Sequence, residues 1–146
     1  MSESDEALHL TATDLRMATF RLARRLRSAR ATDSMSDTQL AVLAGLRMHG
    51  RRTISALADS EHITAPSMSS IVNGLEEQGL VVRIPDEDDR RRVQVEITAA
   101  GTEIVAETIR RRDHLLAAML DRVDFTAEEL ATLREASALM RRVAER

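Results

Sequence analysis

The chain has 146 residues, with 21 basic residues, all arginine, against 24 acidic ones and a formal net charge of −3; that suits one compact domain, or one with helical arms, and gives no global signature of a nucleic-acid binder, so any DNA contact must depend on where the charges sit. The absence of cysteine excludes disulfides, thiol redox sensing and Cys-ligated zinc, and it suits a cytoplasmic location. No run of about 18 apolar residues offers a membrane span, and with Phe20 and Phe125 as the only aromatics the core must be aliphatic.

Residues 1–10 (MSESDEALHL) are acidic and polar, unlike a signal peptide, and are expected to be loosely ordered. From about Ala12 to Arg30, Leu15, Ala18, Leu22, Leu26 and Ala29 recur with a helical period, with Thr11 or Thr13 as cap. The other faces carry Arg16, Arg21, Arg24, Arg25, Arg27 and Arg30, more often a solvated face than a nucleic-acid or membrane surface. Ser36-Asp37-Thr38-Gln39 is a capping box for a second helix reaching His49, striped by Leu40, Val42, Leu43 and Leu46 and ended by Gly50.

The stretch from Thr53 to Thr98 organises the rest. Thr53 caps a short helix from Ile54 to about Glu61, and Thr64 caps the next, whose first turn accommodates Pro66 because a missing N–H there does no harm. On a wheel of about 100° per residue, Met68, Ile71, Val72 and Leu75 share one side of that helix. Pro66, Ser70 and Asn73 point the other way, flanked by Ser67 and Ser69. A small polar face suits a major groove, since serine pairs with any base edge and asparagine can pair in bidentate fashion with adenine; an ordinary solvated face explains it about as well. Gly79 closes the helix. Residues 80–84 (LVVRI) and 93–97 (VQVEI) then read as the two strands of a wing.

At the wing tip stand Asp89, Arg90, Arg91 and Arg92. Arginine suits a narrow minor groove, and Asp89 is placed to hold an arginine side chain extended. Arg51 and Arg52, just before Thr53, are placed to reach phosphates, as are the N–H groups opening the helix at Ile54. The acidic run Asp86-Glu87-Asp88-Asp89 is an anomaly for a phosphate-facing loop.

Thr98 caps a long helix through roughly Asp121, with Val105, Ile109, Leu116, Met119 and Val123 at near-heptad spacing interrupted by Arg112. Gly101 in its first turn costs about 1 kcal/mol against alanine and is expected to soften that end. Arg110-Arg111-Arg112 more often signals intramolecular pairing than DNA contact. Asp124-Phe125 is a break, Thr126 to Glu129 a further capping box, and Leu130, Leu133, Met140 and Val143 stripe the last helix. Three long amphipathic helices around a small wing module leave apolar stripes that one copy cannot bury. A homodimer joined through Leu15, Leu22, Leu26, Leu133, Met140 and Val143 is the economical solution.

Asp89-x-Arg91-x-x-x-Val95-x-Ile97-Thr98, together with Leu75-Glu76-x-x-Gly79-Leu80-Val81 at its spacing, resembles the wing and the recognition-helix exit of the multiple-antibiotic-resistance regulator (MarR) family, and the chain length matches. The fold expected is mainly α (α+β): a winged helix-turn-helix with long N- and C-terminal dimerisation helices. Residues 1–146 would form a single MarR-like domain, with 37–98 the DNA-binding lobe and 11–30 plus 99–146 the helical dimerisation region. The resemblance further implies a short edge strand around residues 51–53. It also implies double-stranded DNA as partner and a small, often aromatic, acid as effector in a cleft for which Phe20, Arg24, Met48 and His49 are the candidate lining; core packing explains Phe20 and Met48 equally well. Many relatives carry Arg or Lys where this chain has Ser70.

The four histidines show no His-x-x-x-His pair, and no catalytic or phosphate-binding motif is present. Neither an enzyme nor a metal or cofactor is expected. The reading is a homodimeric, sequence-specific transcriptional regulator, in the main a repressor acting on an inverted repeat. The acidity and Ser70 keep open a winged-helix interaction or architectural module without sequence-specific binding; retention on random duplex DNA at low salt separates the two.

Overall fold

A computed structural model describes residues 2–29 and 35–144; Arg30 lies outside them. Six helices and three strands follow in the order α1 (Glu3–Leu26), α2 (Asp37–His49), β1 (Arg52–Thr53), α3 (Ile54–Ser60), α4 (Ala65–Glu77), β2 (Val81–Pro85), β3 (Val93–Ile97), α5 (Ala99–Val123) and α6 (Ala127–Ala144). Two compact units result, Met1–Arg112 and Asp113–Arg146.

The loose N-terminus expected from composition is helix instead. The Asp5 N–H donates to Ser2 Oγ at 3.2 Å and the Ser2 N–H to Asp5 Oδ2 at 3.0 Å, a reciprocal cap that starts α1 at Glu3. Glu3, Asp5 and Glu6 in the first turn and Arg24 and Arg25 in the last oppose the helix dipole. Thr11 is therefore no cap; its hydroxyl donates to the Ala7 carbonyl in mid-helix. The other caps stand as the sequence indicates, with Ser36 and Gln39 reciprocal, Thr53 accepting from the Ala56 N–H, and Thr64 from the Ser67 N–H.

In the first unit the core is aliphatic. Leu40, Val42, Leu43 and Leu46 of α2 meet Leu57 and Ala58 of α3, Met68, Val72 and Leu75 of α4, Val81 and Val95 of the sheet, and Val105 of α5. The sheet is antiparallel in the order β1-β3-β2, with Arg52 opposite Val95 and Arg83 opposite the same residue from the other side. Gly79, at φ 72°, takes the left-handed turn that follows α4 and feeds β2. This is a winged helix-turn-helix.

Gly101 does not soften the start of α5. It is buried, and an added Cβ would lie 2.3 Å from the Leu80 carbonyl oxygen and 2.8 Å from Ile97 Cγ1. The glycine lets the helix backbone lie against the strand entry. Thr98 completes the joint: its hydroxyl donates to the Gly79 carbonyl at 2.7 Å and accepts from the Gly101 N–H at 3.1 Å.

In the second unit, Asp124 at φ 58° breaks the chain, and Thr126 and Glu129 cap each other across the first turn of α6. No residue of α6 is buried, and the same holds for α1 in the first unit. Among the described residues no helix is long and apolar enough to cross a membrane.

Candidate nucleic-acid interface

Helix α4 places its apolar residues inward and leaves Pro66, Ser67, Ser70 and Asn73 exposed, with Ser69 half-buried. Hydrogen bonds within the helix set what each offers. Ser67 Oγ accepts from the Thr64 hydroxyl at 2.9 Å, which leaves its own O–H to donate. Ser70 Oγ gives its hydrogen to the Pro66 carbonyl at 3.3 Å and keeps its lone pairs. Asn73 Oδ1 accepts from Arg83 Nη2 at 2.7 Å, and Arg83 Nη1 lies 3.0 Å from Glu76 Oε1. Arg83 has no signal in the sequence, since it stands in β2 ten residues beyond Asn73.

The wing tip is built differently from the sequence expectation. Among the described residues Asp89 holds no guanidinium: its Oδ1 accepts from the Arg91 backbone N–H at 3.0 Å and its carbonyl from the Arg92 N–H at 2.8 Å. A short side chain beside a tight turn reaches the nearby backbone before it reaches the end of a long arginine. Asp86 does the same at the other end of the loop. Its Oδ1 accepts from the Asp88 N–H at 3.0 Å, its Oδ2 from Gln94 Nε2 at 3.1 Å, and its own N–H donates to the Arg92 carbonyl at 2.9 Å. The Asp88 N–H, foremost, holds the Asp86 carboxyl below the usual aspartate range, with Gln94, the Asp89 backbone and the Arg92 charge adding to it. Two of the four acids in the anomalous run are thus loop staples, and Glu87 and Asp88 face solvent.

Arg90, Arg91 and Arg92 are exposed. Arg91 and Arg92 share a groove with Val93 and with Thr53, Ile54 and Ser55 at the start of α3, which brings the wing, β1 and the helix-turn-helix onto one surface. Arg52 is half-buried in β1. Arg51 is ion-paired with Glu96 across the sheet, so any phosphate must compete with that carboxylate. Arg110 and Arg111 of α5 are drawn into the protein's own pairs. Arg110 bonds Glu103 and Glu107, and Arg111 bonds Glu107 at 2.8 Å; together they hold the Glu107 carboxyl below its usual range.

The four residues assigned to an effector cleft differ in their surroundings. Phe20, Arg24 and His49 are exposed, and Met48 lines a shallow hollow with Ala44, Arg47, Val105 and Ile109. A neighbouring hollow is lined by Ala23, Leu26, Arg27, Asp37, Leu40, Ala41, Ala44 and Arg112. Arg112 Nη2 lies 3.9 Å from Asp37 Oδ1 there, and its Nε is buried without a hydrogen-bond partner among the described residues. No cluster of three metal-ligating side chains occurs among the described residues.

The sequence pattern of the MarR family matches residues 33–92. An uncharacterised HTH-type transcriptional regulator of Mycobacterium bovis is 35% identical over 140 residues, spanning 96% of this chain and 94% of its own. Among solved structures, a MarR family protein from Bacillus stearothermophilus shares the fold with a TM-score of 0.83 at 21% identity, over 99% of this chain and 100% of its own. A MepR variant from S. aureus, bound to an oligodeoxyribonucleotide, gives a TM-score of 0.67 at 19% identity, over 92% of this chain and 97% of its own. With its winged helix-turn-helix and a relative this similar along nearly its whole length, the chain belongs to the MarR family of DNA-binding HTH-type transcriptional regulators.

Proposed function

We propose that the protein represses transcription as a homodimer on an inverted repeat, with α4 of each protomer in successive major grooves and the wing arginines at the flanking minor grooves. The observation that carries this reading is the exposed Pro66/Ser67/Ser70/Asn73 face of α4 beside a wing tip whose three arginines stay in solvent. Repression needs nothing beyond occupancy of a site that polymerase must use. The acidic balance of the chain, with net charge −3, then limits non-specific binding, so that occupancy depends on base contacts.

Dimerisation is supported by the apolar residues left uncovered on α1 and α6. Leu15, Leu22, Leu133 and Val143 are between 37% and 70% exposed, and Leu26 and Met140 are half-buried. Two protomers related by a two-fold axis bring their recognition helices to half-sites about one helical turn, roughly 10 base pairs, apart. Inserting about five base pairs between the half-sites should therefore abolish binding; undiminished affinity after the insertion rejects symmetric docking.

An acidic small molecule in the hollow bordered by Leu26, Arg27, Asp37, Leu40, Ala44 and Arg112 is the effector this reading favours, because the buried Arg112 Nε has a donor to offer, for which the acid must compete with the Asp37 carboxylate 3.9 Å from Arg112 Nη2. Titration of the protein–DNA complex with benzoate-type acids tests it: release that is lost in Arg112→Met supports the site, and release retained in that variant moves the effector elsewhere.

A further inference from the structure

Asn73 and Glu76 lie one helical turn apart on α4, both exposed, and Arg83 crosses from β2 to grip the two. Its guanidinium donates to Asn73 Oδ1 at 2.7 Å and to Glu76 Oε1 at 3.0 Å. A guanidinium only donates, so the atom of the Asn73 amide that faces it must be the oxygen, and the NH2 group is turned away from it. The arginine is itself held: its side chain is 28% exposed, and Val95 backs its strand position in the sheet.

We propose that Arg83 is a specificity-determining positioning residue, fixing the Asn73 amide so that it reads its base with the NH2 group. This rests on α4 being the recognition helix and on Asn73 being one of its reading residues. Asparagine alone is ambivalent, since a half-turn about its last torsion exchanges donor and acceptor. A charge-assisted bond to the oxygen removes that freedom and polarises the amide, so the NH2 is the better donor. In the major groove the partners for such a donor are guanine O6 and N7, adenine N7 and thymine O4. The bidentate adenine pairing expected from the sequence needs the oxygen as well, and here that oxygen is shared with Arg83. Guanine, with two acceptors for two hydrogens, is the better fit. Glu76 neutralises Arg83 and keeps it from acting as a free phosphate contact.

The test is the base-preference profile of the full-length protein selected on a library of randomised duplexes, for the wild type, Asn73→Ala, Arg83→Gln, Arg83→Lys and the double variant, each checked by thermal melting. Asn73→Ala should flatten preference at one position per half-site, with guanine lost there. Arg83→Gln should flatten the same position, lowering discrimination about tenfold, while affinity for random duplex and its salt slope stay as in the wild type. Arg83→Lys should not restore the preference, because an ammonium cannot span both acceptors as a planar fork does. The double variant should read no worse than Asn73→Ala. A wild-type profile for Arg83→Gln overturns the proposal. So does a shallower salt slope on random DNA, which would make Arg83 a phosphate contact, or an equal loss at every position with a lowered melting temperature, which would make it merely structural. If Asn73→Ala itself leaves the profile unchanged, the assignment of Asn73 as a reading residue falls first, and that failure is distinct from the others.

Discussion

Gly101 stands so close to Leu80 that a single methyl at its α-carbon would fall 2.3 Å from the Leu80 carbonyl oxygen. In an exposed helix, replacing glycine by alanine gains up to about 1 kcal/mol. Here the obstacle is backbone, which cannot rotate aside, and overpacking of this kind costs about 1–3 kcal/mol. Gly101→Ala should therefore be destabilising on balance. Urea titration should show a lowered midpoint with an unchanged slope; a raised midpoint would show that α5 has room to shift.

The wing arginines and the aspartate beside them should fail in different ways. Arg91→Ala removes a solvent-facing charge, so affinity for operator and random DNA should fall together, and the slope of log K against log salt should shallow by about one unit per lost contact in each half-site. Asp89 acts on the backbone at Arg91 and Arg92. Asp89→Asn keeps the accepting oxygen and should bind nearly as the wild type does. Asp89→Ala loosens the tip and should lower affinity while leaving the number of charges, and most of the slope, in place. An equal loss in the two Asp89 variants would mean that its charge matters and its turn does not, and wild-type binding by both would remove Asp89 from the mechanism.

Asp86 makes a pH prediction. Its folded pKa is depressed, so the order it gives the loop is present above the usual aspartate range and lost only as pH falls through the lowered value. The side-chain NH2 resonances of Gln94, which donates to Asp86 Oδ2, followed during acidification, should hold their positions through the usual aspartate range and move only below it. In Asp86→Asn that low-pH step should vanish. A step at or above the usual range would contradict the staple.

Met140 is half-buried in a helix with no buried residue. If α6 is covered by a second copy, Met140→Asp buries an unpaired carboxylate in the interface and should dissociate the dimer. Light scattering at micromolar concentration reads the mass directly. A wild-type monomer, or an unaffected dimer in the variant, removes this face from the interface.

Local signals in the sequence were reliable guides to the fold because capping chemistry is itself local. Ser36 with Gln39, Thr126 with Glu129, and the lone threonines 53 and 64 start their helices where their spacing says, and the alternation at Val93–Ile97 marks β3 to the residue. Residues 2–10 carried the same kind of signal in Ser2 and Asp5, outweighed there by acidic composition. What could not be read was contact at a distance. Gly101 against Leu80 and Arg83 on Asn73 depend on how the wing folds back, and nothing near either residue announces it. Asp89 departs from expectation for another reason: composition places an acid among arginines, and the geometry of a tight turn gives it to the backbone instead.

Thr53 belongs to two structures at once. It pairs with Gln94 in the sheet while its hydroxyl receives the Ala56 N–H that opens α3. With no residue left between strand and helix, there is no swivel there: the wing cannot tilt without turning α3, and α3 cannot fray at its first turn without disturbing the short edge strand. The amides of Ala56 and of the β1–β3 ladder should therefore exchange with deuterium as one cooperative group, at a common opening free energy. If α4 and the wing hold two grooves as proposed, a signal that reaches either part is delivered to both, and the two contacts should loosen in a single event.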